Sequence, residues 1–224
     1  MSLPSGGAWR GVAGAVAAGA LAVGALAWAT NGFTAVTTEG ARRLAVQRAP
    51  VLVPSAPVRT SDDRVIDALA ESGAGATRAV PRAAIVAFFY ARCPGVCGRL
   101  GETLQRVQQL VRARGLEDQV RVLSLSFDAT HDTPAMLARY ARERRVDAAL
   151  WDVRTLEPGA AREALLAAFG VVVIADGAAG YQHNAALHVV TPDRRLVQIL
   201  DLDDAEGAIA AATALAPLSR IAGR

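Results

Sequence analysis

With 224 residues, 52% apolar and 20% charged, the chain has material for one full domain plus an appendage and is too apolar to stay disordered. Its net charge is only +3, and every basic residue is Arg, scattered among acids without a basic stripe or interleaved aromatics, which excludes nucleic acid as a partner. Two Cys in so long a chain exclude a disulfide framework.

Residues 1–10 read as a short cytoplasmic N-terminus. Gly11–Ala29 continues without a single charge. As a helix it reaches roughly 28 Å, about one bilayer core. Two readings stand: a transmembrane anchor, or a signal segment cut after the small-x-small run Ala27-Trp28-Ala29. Either exports the C-terminal part of the chain. Residues 30–49 read as a linker, and 50–224 as the globular domain.

Within that domain, Asp63–Glu71 is expected as a short helix and Ser72–Pro81 as a loop. Ala83–Tyr90 is a continuous branched and aromatic run, hence a buried strand. Gly98–Arg114 carries Leu100, Leu104, Val107 and Val111 at helical spacing. Val120–Phe127 is a second strand. Thr133–Arg145 is a helix, capped by Thr133 and opened by Pro134. Ala149–Val153 is a third strand, Gly159–Phe169 a helix closed by Gly170, and Val171–Ile174 a short strand. Ala185–Thr191 and Leu196–Leu200 flank a turn at Pro192–Arg195 and form a hairpin, and Asp203–Leu215 is the last helix. The order predicts an α/β fold whose sheet has a parallel part and an antiparallel hairpin edge.

Both Cys fall in Cys93-Pro94-Gly95-Val96-Cys97, between the first buried strand and the helix after it. Open α/β sheets bind ligands at such junctions, and a helix N-terminus favours thiolate. At this spacing the two sulfurs suit a disulfide, a redox couple or one soft metal ion. A structural bridge over so few residues removes little chain entropy and is the weakest of the three. Of the three His, His183 lies in the loop Gly180–Asn184 just before a strand and can point across to the Cys loop. His188 lies within that strand and reads as packed. His131 reads as a polar loop residue near the strand end, with a second-sphere or fourth-ligand role as the alternative. Asp132 reads as a helix cap, and Tyr90, Phe169 and Trp151 as core.

These blocks, in this order, resemble the Sco/SenC family of copper proteins. Ile85–Tyr90 with Cys93-Pro94-Gly95-Val96-Cys97 resembles the family's strand and CPxVC motif. Leu123–Asp128 with Asp132-Thr133-Pro134, then Phe169-Gly170-Val171, then Tyr181–Ala186 with Thr191-Pro192-Asp193, resemble its further motifs, over roughly residues 50–215. The resemblance implies a thioredoxin-like fold, a central mixed sheet flanked by helices, preceded by an N-terminal transmembrane helix. It implies one copper ion, Cu(I) or Cu(II), held by Cys93, Cys97 and His183. It implies a metallochaperone rather than a turnover enzyme, assisting assembly of the dinuclear copper centre of cytochrome c oxidase. The partner is then oxidase subunit II or a related copper-containing oxidase, with other copper donors upstream. The place is the bacterial inner membrane, single-pass, with the C-terminal domain in the periplasm. The alternative is a membrane-anchored thiol–disulfide oxidoreductase acting on the cysteines of an oxidase subunit, with Cys93 and Cys97 as the redox pair. Three positions depart from the family: Gln182 stands where Asp is usual, Asn184 where Thr is common, and Gly95 where a polar residue is frequent.

Overall fold

The computed structural model describes residues 6–29, 37–71, 81–93, 95–177 and 180–215. The chain divides into two units, Met1–Arg48 and Ala49–Arg224. In the first unit, helix α1 spans Gly6–Ala29. The expected transmembrane helix therefore exists as a helix. However, among the described residues no helix is long and apolar enough to cross a membrane. Ala and Gly dominate α1 and supply little apolar area per residue. Within the stretch read as linker, Thr38–Arg48 is a second helix, α2. Thr37 Oγ1 accepts the Gly40 amide at 3.0 Å, and Glu39 pairs with Arg42 and Arg43. The rest of that stretch before Thr37 lies outside the described residues.

The second unit is built on an eight-stranded mixed sheet. Its strands are β1 (Val51–Leu52), β2 (Pro57–Thr60), β3 (Val65–Asp67), β4 (Ala83–Phe89), β5 (Val120–Ser126), β6 (Trp151–Leu156), β9 (Ala186–Val190) and β10 (Arg195–Asp201). The order is β1-β10-β9-β4-β5-β6-β2-β3. Strands β4, β5 and β6 are parallel neighbours, while β9 runs antiparallel to β4. Every residue of β4 and β5 is buried, as in a sheet covered on both faces. Helices α3 (Val96–Ala113) and α4 (Pro134–Glu143) make the two parallel crossovers, and α5 (Ala160–Phe169) and α6 (Ala205–Ala214) come after them. Helix α6 packs on α3, β4 and β9, and α4 packs on β6 and β2.

Local chemistry sets the boundaries much as expected. The Thr133 side chain accepts the Met136 amide at the start of α4, with Pro134 in the first turn. Gly170 ends α5 in the left-handed conformation, φ 63°. Two expectations need correction. Asp63–Glu71 is not a helix: Val65–Asp67 is strand β3, paired with β2 across a turn in which Asp63 has φ 62°. Pairing of β2 with β6 recruits this segment into the sheet, and the helix-like spacing of Val65 and Leu69 yields to it. Tyr181–His183 is not a loop: it is strand β8, paired with β7 (Val173–Ala175) in a separate two-stranded sheet. The expected loop Ser72–Pro81 lies outside the described residues but for Pro81.

Trp151 is core, its Nε1 donating to Ser124 Oγ at 2.9 Å. His188 is packed as expected: buried on β9, Nδ1 3.3 Å from Val86 O, edge-on to Phe88 and Phe169.

Candidate metal centre

The site forms where the chain leaves β4. Tyr90 turns the backbone, its carbonyl accepting the Cys93 amide at 3.2 Å. Helix α3 then starts at Val96 with Gly95 as its N-cap, a residue without a side chain to satisfy the free amides of the first turn. The Cys93 sulfur takes that place and accepts the Cys97 amide at 3.4 Å. Both thiols are free, Cys93 half-buried and Cys97 buried. From the other side, strand β8 brings His183 Nε2 to 3.6 Å from Cys97 Sγ.

The imidazole sits among aromatic rings. Phe127 is edge-on to it at 5.1 Å and Tyr90 at 6.3 Å, and Tyr181 packs edge-on to both. Burial lowers the His183 pKa and keeps the ring neutral, with a lone pair for a metal. Burial pushes the Cys97 thiol up, and the neighbouring Cys93 adds to this. Burial and the Cys93 thiol also raise the Tyr90 hydroxyl.

The donors fit a soft cation. A 3.6 Å separation of sulfur and nitrogen suits two ligands sharing one first-row metal ion, with bonds of about 2.0–2.3 Å meeting at roughly 110°. Two thiolates and one imidazole are a soft, low-coordinate set. Among the described residues, no three His, Cys, Asp or Glu are already gathered tightly enough to hold an ion. Cys97 and His183 meet, and the Cys93 sulfur is engaged with the helix amide.

Acidic and basic neighbours brace the Cys loop. Asp132 is buried, and its Oδ2 accepts the Ala91 amide at 2.9 Å and Ser126 Oγ at 2.5 Å. This corrects the capping role expected for Asp132, which Thr133 takes instead. His131 is an exposed loop residue, its Nδ1 against Asp128 at 2.9 Å and Arg92 at 2.8 Å.

The sequence model of the SCO1/SenC family matches residues 71–216. The chain belongs to the SCO1/SenC family. No curated protein matches it. Among solved structures it is similar to BsSco, described as a member of the Sco family of cytochrome c oxidase assembly proteins. The identity is 18%, the TM-score 0.62, and the match covers 76% of this chain and 96% of that one. ScoI of Bradyrhizobium japonicum with copper bound matches at 19% identity and TM-score 0.56, covering 73% and 99%. Yeast Sco1 matches at 16% and 0.51, covering 71% and 94%. These likenesses bear out the α/β fold with a mixed sheet flanked by helices.

Against the family pattern, the departure at Gln182 has a structural meaning in this SCO1/SenC protein. Gln182 is exposed and lies across from Ile174, one residue from His183 on a strand, so it faces away from the imidazole. Asn184 has a role that its place in the sequence does not announce. Its Nδ2 donates to Gly170 O at 2.9 Å and its Oδ1 accepts the Val172 amide at 2.8 Å, closing the β7–β8 arm at its base.

Proposed function

We propose that this SCO1/SenC protein is a copper metallochaperone. Copper is its cargo, bound one ion per chain by Cys93, Cys97 and His183 and handed on for assembly of the dinuclear centre of cytochrome c oxidase. The contact between Cys97 Sγ and neutral His183 Nε2 carries this reading, because it joins two soft donors from segments 86 residues apart. The relatives support it: ScoI of Bradyrhizobium japonicum and ScoI of Arabidopsis thaliana were both solved with copper bound, and BsSco is described as an oxidase assembly protein. The partner is oxidase subunit II or a related copper-containing subunit. The uncharged stretch 11–29 supports export, which places the domain on the periplasmic side of a bacterial inner membrane. Recovery of the domain in the cytosolic fraction of its host would refute that placement.

A second reading is favoured by the Cys97 amide on the half-exposed Cys93 sulfur, the arrangement of an attacking thiol. In it, Cys93 attacks a partner disulfide and Cys97 resolves the mixed disulfide. Two electrons and two protons pass to the partner, and the Cys93–Cys97 disulfide forms.

The deciding experiment is an anaerobic titration of the reduced chain with Cu(I) against a competing chelator, beside His183→Ala. The expected result is one copper per chain. The variant should bind weaker by more than the roughly 10–100-fold that loss of an outer-sphere partner costs. No binding by the wild type would leave the thiol-exchange reading.

A further inference from the structure

His183 stands on an arm that no strand ladder joins to the main sheet: among the described residues, β7 and β8 pair only with each other. The imidazole must therefore be fixed against the thiols by side chains. One residue reaches both donor segments. The Tyr90 carbonyl accepts the Cys93 amide at 3.2 Å. The Tyr90 hydroxyl donates to Tyr181 O at 3.0 Å and accepts the Tyr181 amide at 3.2 Å, filling both roles of a phenol on one peptide segment. Tyr181 is two residues before His183 on β8, so the two side chains lie on the same face of the strand. The Tyr90 ring lies edge-on to both Tyr181 and His183.

We propose that Tyr90 is a positioning residue for the metal centre, its hydroxyl clamping the β8 backbone so that His183 Nε2 is held at the Cys97 sulfur. This rests on the reading of Cys93, Cys97 and His183 as copper ligands, and goes beyond it in assigning what aligns them. A tyrosine serving only as core would need its ring. A clamp needs the oxygen. The removal of that oxygen leaves the three donor side chains and the Cys93 turn in place and frees the arm. The cost resembles that of losing an outer-sphere partner, about 10–100-fold in copper affinity.

The test compares the full chain with Tyr90→Phe, His183→Ala and the double variant. Cu(I) affinity is read by chelator competition, and the Cu(II) form by electron paramagnetic resonance for nitrogen hyperfine coupling. Amide hydrogen exchange of the metal-free proteins is measured in parallel. Tyr90→Phe is expected to bind copper about tenfold or more weakly and to lose or blur the nitrogen coupling. It should speed exchange at the Tyr181 amide while β4 and β5 stay protected. In the double variant the loss should be no greater than in His183→Ala, because both changes remove the same ligand. Wild-type affinity and nitrogen coupling in Tyr90→Phe, beside a weakened His183→Ala, would overturn the clamp and leave the copper reading intact. So would penalties that add in full, or β4–β5 protection falling as far as that of Tyr181. A wild type that binds no copper, or a His183→Ala unchanged in affinity, would overturn both.

Discussion

Asp132 holds the amide of Ala91 at 2.9 Å across 41 residues of sequence. One buried carboxylate thereby ties the end of β5 to the loop that carries Cys93. The same oxygen accepts Ser126 Oγ, and Oδ1 has no partner among the described residues. Burial, with Asp128 nearby, raises its pKa. Asp132→Ala strands the Ala91 amide. It should cost about 1–3 kcal/mol in urea unfolding at neutral pH. An unchanged unfolding midpoint would show that water replaces the carboxylate without penalty.

The two thiols differ in exposure, and this predicts an order of reaction. Cys93 is half-buried, whereas Cys97 is buried with its proton held by that burial. Iodoacetamide should alkylate Cys93 at least about tenfold faster than Cys97 in the folded, reduced protein, and the two at similar rates in urea. Mass spectrometry of quenched time points reads this directly. Equal rates in the folded protein would mean that the Cys loop opens faster than it is labelled.

Under the proposed ligation, copper binding expels the Cys97 proton, so affinity should rise with pH, about tenfold per unit for each proton released. Chelator competition at pH 6, 7 and 8 checks this, and a flat profile contradicts it. Without metal, the stability linked to Cys97 is full below its ordinary value of 9.0 and is lost as pH rises toward its raised folded value. His183 has the opposite sign. Its pKa is lowered on folding, so its contribution is present above the ordinary 6.5 and is lost as pH falls through the lowered value. His183→Gln should flatten the decline below pH 6.5 in denaturant titrations and leave the alkaline decline in place.

The local elements were legible in the chain because each carries its own cause. Thr133-Pro134 starts a helix through a side-chain cap and a preset first turn, and Gly170 ends one through a backbone conformation other residues resist. The unbroken apolar run of β4 announces a strand buried on both faces, so the Cys pair falls at a strand–helix junction by sequence alone. Most of the site was not local in this sense. Val65 and Leu69 stand at a helical spacing, yet Val65–Asp67 became a strand because β2, itself paired with β6, offered it a partner. Tyr181–His183 is too short to signal a strand, and exists as one through pairing with β7. Tyr90 reads as one more core aromatic, and nothing near it in sequence reveals that its hydroxyl meets Tyr181 O, 91 residues on. Asp132 reads as a cap because caps are set within four residues, whereas its partner lies 41 away. The sequence by itself determined helices α3 to α6, the buried strands and which residues carry the soft donor atoms. Only the tertiary structure decided which donors meet and what braces them, because a polar side chain's partner is set by packing between distant segments and leaves no periodicity to read.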